Sequence, residues 1–117
     1  MPFVTIEVRR HWSDHEETAI IEAVHASLIH AFGIPDDDKN IRLFEHAPGR
    51  FAVGHTLARP EFRTLVSIDC YSGRTEEMKQ ALYSQILERF EVIGIPREGV
   101  SIVLREEPPV NWGSGRD

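Results

Sequence analysis

From Phe3 to Val8 apolar and polar residues alternate with period two, the pattern of a strand that buries one face. The period then changes. Between Ser13 and Ile34, the residues Ala19, Ile20, Ala23, Val24, Ala26, Ser27, Leu28 and Ala31 recur at helical spacing, with Asp14, His15, Glu17 and Glu22 on other faces. Ser13 followed three residues later by Glu16 is a capping box and fixes where the helix starts. Gly33-Ile34-Pro35 stops it, and residues 40–46 alternate again as a strand. The second half repeats the plan. Leu65 to Tyr71 reads as a strand, and Thr75 to about Val92 as a helix with Leu82, Ile86, Leu87 and Phe90 inward. Gly94-Ile95-Pro96 is its stop, and Val100 to Arg105 is the closing strand.

The repetition reaches individual residues. Val4-Thr5-Ile6-Glu7 aligns with Val66-Ser67-Ile68-Asp69 at an offset of 62, and the two Gly-Ile-Pro stops align at an offset of 61. Pro35 precedes Phe51 by 16 residues, as Pro96 precedes Trp112 by 16. Two β-α-β units in tandem, spanning about residues 2–55 and 64–115, are the mark of an internal duplication. The predicted architecture is α+β: one domain, with right-handed crossovers, parallel strands within each unit, and a four-stranded mixed sheet carrying both helices on one face. The other face takes one residue from each pair Phe3 or Val4, Ile41 or Arg42, Val66 or Leu65, and Ile102 or Val103. Such a face is too apolar to leave in water, so an oligomer is expected.

Composition narrows the class without naming a function. At 117 residues the chain is long enough for one core, and its 41% hydrophobic and 27% charged content is that of an ordinary globular protein. A net charge of −6 argues against nucleic acid, which needs a clustered excess of Lys and Arg. No apolar run approaches the roughly 20 residues of a membrane span, and no signal segment precedes the first strand. A single cysteine, Cys70, excludes an internal disulfide and suits a reducing cytoplasm; its strand position reads as a buried structural thiol.

The second residue is chemically the most interesting. Proline cannot donate to a sheet ladder, so Pro2 gains nothing for pairing at a strand's start. Once the initiator methionine is trimmed, as is usual before a small second residue, Pro2 supplies a secondary amine held rigidly at a strand end. An α-amino group titrates near about 7.7–8.0. Apolar walls and nearby guanidinium groups lower that value toward neutrality, where a general base is most effective. A pKa that stayed high would leave a cation suited to acid catalysis, hydration or iminium formation.

A duplicated β-α-β unit opening on Met-Pro resembles the tautomerase superfamily, whose simplest members resemble 4-oxalocrotonate tautomerase. The resemblance runs from Pro2 to about Gly115. Its local marks are Gly73-Arg74-Thr75-Glu76-Glu77-Met78-Lys79, similar to the family's Gly-Arg-Ser/Thr helix start, and Asn111-Trp112-Gly113. Ile34-Pro35-Asp36-Asp37-Asp38, with Arg42-Leu43-Phe44-Glu45-His46 after it, is similar to malonate semialdehyde decarboxylase-like members. The chain departs from the pattern in three places. His11-Trp12-Ser13 replaces the first Gly-Arg-Ser, Asn40 stands where the simplest members carry an arginine, and Tyr71-Ser72-Gly73-Arg74 keeps only the second arginine of the decarboxylase pair.

The resemblance implies a cofactor-independent, homotrimeric enzyme of the cytoplasm that isomerises small enol and keto carboxylates with Pro2 as general base. Arg74 is the first choice for a carboxylate clamp, because guanidinium grips carboxylate bidentately and a helix start disfavours an idle cation. Asp38 matches the acid of the decarboxylase-like members, although Asp36-Asp37-Asp38 also reads as a solvated loop. Arg42, two residues from Asn40, projects from the same strand face. Trp112 reads as pocket, and Phe51 either as a pocket residue or, more readily, as core or interface. Hydration, dehalogenation or decarboxylation of three-carbon acids is the alternative chemistry, and a non-catalytic trimeric binding protein is the other rival. His11 and His15 are too few for a metal site, His25 and His30 fit a helix flank, and His46 and His55 stay uncommitted.

Overall fold

The computed structural model describes residues 2–116. In chain order it contains strand β1 (Phe3–Val8), helix α1 (Asp14–Phe32), β2 (Ile41–Glu45), β3 (Thr64–Tyr71), α2 (Glu76–Ile93) and β4 (Val100–Glu107), joined by short 3-10 turns. The strands form a single mixed sheet in the order β2-β1-β3-β4. β1 and β2 run parallel, as do β3 and β4, while β1 and β3 meet antiparallel at the centre. This is the duplicated plan, with the two units joined through their first strands. No helix of the described residues is long and apolar enough to cross a membrane.

The helices begin and end where the sequence says. The Ser13 hydroxyl accepts from the Glu16 backbone N–H at 3.2 Å, and the Glu16 carboxylate accepts from the Ser13 N–H at 3.0 Å. Thr75 caps α2 by accepting from the Met78 N–H at 3.1 Å. Gly33 (φ 67°) and Gly94 (φ 108°) close the two helices in left-handed backbone, which a residue with a Cβ adopts only at a cost.

Alternation decides which face is core. Val4, Ile6 and Val8 of β1 and Val66, Ile68 and Cys70 of β3 point toward the helices and are fully buried. They meet Ile20, Val24 and Leu28 of α1 and Leu82, Ile86 and Phe90 of α2. Each such side chain contributes roughly 1.5–3 kcal/mol through burial. Leu87, expected inward, is only half-buried. His25 corrects the expectation of a helix flank: it is 4% exposed, and its Nε2 has no hydrogen-bond partner among the described residues. It lies beside Val24 and Leu28 on the buried side of α1.

The opposite sheet face is more polar than expected. Of each alternative pair, the register turns Val4, Ile41, Val66 and Ile102 inward and leaves Phe3, Arg42, Leu65 and Val103 outward. Around Phe3, Phe44 and Val103, each at least 40% exposed, stand an Arg105–Asp69 ion pair (2.8 Å), an Arg42–Thr5 hydrogen bond (3.0 Å) and a His46–Glu7 contact (3.0 Å).

The duplication also preserves a structural device. Glu45, on the inward side of β2, accepts from His11 Nδ1 at 3.2 Å and from the Trp12 backbone N–H at 3.3 Å. Its counterpart 61 residues on, Glu106, accepts from Lys79 Nζ at 2.6 Å. In both units a carboxylate from the second strand braces the turn that leads into the helix. The bond from His11 holds the Glu45 carboxyl below its ordinary value, and the Lys79 bond does the same for Glu106, helped by the backbone N–H groups of Gly73 and Arg74. The Glu106 bond raises Lys79 in return.

The sign for stability follows. A carboxyl lowered by folding stabilises above its unfolded value of 4.5 and loses that contribution as pH falls through the folded value. The raised Lys79 stabilises below its unfolded value of 10.5, a contribution lost as pH rises further. Thermal melts should therefore hold a plateau at neutral pH and drop on both sides. Glu106→Gln should reduce the drop on both sides, and unchanged pH arms in that variant would show that the brace adds nothing.

Candidate functional site

Pro2 is buried at the start of β1. Phe3 pairs with Asp69 in the antiparallel ladder, so one more step of that register sets Pro2 opposite Cys70. The Cys70 thiol is raised by burial and drawn back by the charge of Arg74. Arg74 reaches the same inward side of the sheet, where its guanidinium lies over the buried Phe32 ring. Its turn needs Gly73 at φ 122°, in the left-handed region. The half-buried guanidinium donates from Nη1 to the Tyr71 carbonyl at 3.2 Å and lies 4.9 Å from the centre of the Phe32 ring.

In front of this end opens a cavity of about 550 Å³, lined among others by Phe3, Asp38, Asn40, Tyr71, Trp112 and Arg116. Trp112 is its organising ring, with centroids 5.1 Å from both Phe3 (tilted by 52°) and Tyr71 (edge-on at 84°). A 3-10 turn, Pro109–Asn111, presents it, with the Trp112 N–H donating to the Pro109 carbonyl at 3.0 Å. The indole Nε1 is buried without a hydrogen-bond partner among the described residues. Asp38 is half-buried, its backbone N–H donates to the Pro35 carbonyl at 3.1 Å, and its Oδ1 accepts from Asn40 Nδ2 at 3.3 Å.

The structure thus brings Asp38 and Trp112 into one cavity, whose wall includes Phe3, the residue after Pro2. Arg42 lines an adjoining hollow of about 420 Å³ that shares Phe3, Lys39 and Asn40 with the first. Arg74 stands behind Tyr71 and is not part of the cavity's lining. Phe51 lies at the other end of β1, edge-on to His46 at 5.7 Å, with its carbonyl accepting from Arg9 Nε at 2.8 Å. Within one chain it does not meet the others.

Sequence reasoning missed Phe3, Tyr71 and Arg116 as cavity residues, and read Asn40 only as a departure from the family's arginine. Alternation could have found the first two, because both end an outward-facing row at the Pro2 end of the sheet. Nothing in the sequence signals that the tail returns Arg116 to this cavity. Among the described residues, no three of His, Cys, Asp and Glu gather as a metal-binding group.

Comparison with known proteins adds to this geometry. Residues 38–115 match one family described as a tautomerase enzyme, and residues 2–59 match a second with the same description. The probable tautomerase YusQ of Bacillus subtilis (strain 168) is 29% identical over 122 residues, covering 99% of this chain and 96% of that protein. The probable tautomerase RSp0893 of Ralstonia nicotianae is 34% identical over 50 residues, covering 42% of this chain and 71% of that one. Among solved structures, FG41 malonate semialdehyde decarboxylase inhibited by 3-bromopropiolate aligns with a TM-score of 0.86 and 28% identity, over 97% of this chain and 88% of that one. The F6 fused 4-OT, an asymmetric trimer, aligns with a TM-score of 0.86 over 97% of this chain and 92% of that one; at 20% identity it speaks to the fold alone. On the family matches to both units, the chain belongs to the tautomerase superfamily.

Proposed function

We propose that this protein is a cofactor-independent isomerase that interconverts small enol and keto carboxylates, with Pro2 as general base. The observation that carries the reading is the position of Pro2: buried at the sheet end, opposite the cysteine that feels the Arg74 charge, and next in chain to a cavity wall. With the chain beginning at Pro2, its nitrogen takes a proton from the enol or the carbon α to the carbonyl and returns it elsewhere on the conjugated system. The positive charge of Arg74 favours the unprotonated amine and attracts the substrate carboxylate. Phe3, Tyr71 and Trp112 supply apolar walls that strengthen both effects by excluding water.

Asp38 favours a second reading. A carboxylate in the same cavity can activate water, and the 28% identity to a malonate semialdehyde decarboxylase points the same way. Hydration or decarboxylation of a three-carbon acid is the reaction that would use it. We further propose a homotrimer that covers the outward sheet face with its exposed Phe44 and Val103, in keeping with the trimeric fused 4-OT. The Phe51 ring then enters a site only from another copy.

The test is a rate comparison on the native assembly, whose mass is first read by sedimentation. A phenylenolpyruvate-type enol should be ketonised faster than the uncatalysed reaction, and Asp38→Asn should leave that rate within about threefold. A native protein silent on enols but active on three-carbon acids, with Asp38→Asn abolishing the activity, would establish the second reading. A stable monomer would remove the trimer.

A further inference from the structure

The duplication that built the cavity beside Pro2 built a second one at the opposite end of the sheet. It has a volume of about 480 Å³ and is lined by Gly54, Thr56, Arg63, Glu98 and Ser101 among others. The two correspond by the repeat offset: Ser101 stands where Asn40 stands in the first, and Phe51, just before this lining, is the counterpart of Trp112. The reactive positions have changed. Thr64 occupies the register of Pro2, buried, with its hydroxyl donating to the Phe62 carbonyl at 3.0 Å. Gly99 replaces Asp38, and a Cβ there would stand 2.9 Å from the Phe62 carbonyl oxygen, so no carboxylate can be carried at that position. The second cavity has lost both the amine and the acid.

It holds a cation of its own. Arg63 is half-buried, its Nη1 donates to the carbonyls of Gly99 at 2.9 Å and Thr64 at 3.4 Å, and its Nη2 donates to the Ser101 hydroxyl at 2.8 Å, which leaves Nε and the second Nη2 hydrogen. Those acceptors are neutral. They hold the guanidinium plane in place without cancelling its charge, and among the described residues no carboxylate pairs with it. Glu98, the acid on the same lining, is taken by Arg59 at 2.6 Å. A guanidinium fixed by neutral groups, with donors left over and facing a cavity, is the arrangement that binds a planar anion through two parallel hydrogen bonds. Thr56 and Ser101 add hydroxyls beside it.

We infer that this second cavity is a binding site for a small carboxylate that is held there and not turned over. The inference does not depend on catalysis at Pro2. Its test is a titration of the native assembly with malonate, an unreactive dicarboxylate, followed by backbone amide resonances. Saturable shifts at Gly54 and Ser101 are expected, and Arg63→Gln should weaken that site by roughly tenfold or more. Asn40 and Gly113 report the first cavity separately, so failure of binding there counts against the catalytic reading and not against this one. Should Arg63→Gln not fold, Arg63→Lys keeps the charge without the planar fork and should weaken the site to a smaller extent. Stationary Gly54 and Ser101 signals in the native protein, or equal shifts in a folded Arg63→Gln variant, would overturn the site.

Discussion

A chain with any residue left ahead of Pro2 is expected to ketonise enols about 10²–10⁴-fold more slowly than the chain that begins at Pro2, the usual contribution of a positioned base. The reason is covalent. As an amide, the proline nitrogen has no basic lone pair and cannot take up the proton. Intact mass of each preparation, set against its rate, tests this without any mutation. Pro2→Ala should fall between the two, because alanine keeps an amine but gives it more freedom and a different pKa. Its stability should change little, since a strand's first residue donates nothing to the ladder. Full activity in protein shown by mass to carry an extra residue would falsify the amine mechanism.

Removal of the Arg74 guanidinium is expected to raise KM for an enol carboxylate by roughly tenfold or more, because a charge-assisted hydrogen bond contributes on the order of 1.5–3 kcal/mol. The geometry sets a competing account. Arg74 lies against the Phe32 ring and holds the Tyr71 carbonyl, so Arg74→Ala also loosens the turn before α2. Two readouts separate the roles. A clamp predicts a large change in KM with a melting temperature shifted by only a few degrees, and a partial rescue by Arg74→Lys, which restores charge without the planar fork. A lower melting temperature with unchanged KM would leave Arg74 as a brace for the turn.

The fold was legible because its signals are local. Period two in β1 and β3, the capping box at Ser13, and the paired Gly-Ile-Pro stops each act within a few residues. Their repetition at an offset of 61 or 62 then exposes the topology. The site was less legible because it depends on where separate segments meet. Pro2, Asp38 and Trp112 could be picked from motif and order, but the part played by Phe3, Tyr71 and Arg116 follows from strand ends and a returning tail. Phe51 shows the opposite limit. Its likeness to Trp112 in the repeat is real, yet the antiparallel joining of β1 to β3 sends the two rings to opposite ends of the sheet.

That antiparallel joining also has an evolutionary consequence. In an assembly of identical single units, a codon change at the strand start is imposed on every end of every sheet at once. Here the two ends are encoded separately, so one end can carry Thr64 and Gly99 while the other carries Pro2 and Asp38. Covalent fusion thus gives the lineage mutational independence between two formerly identical places, one free to keep its chemistry while the other explores a different use.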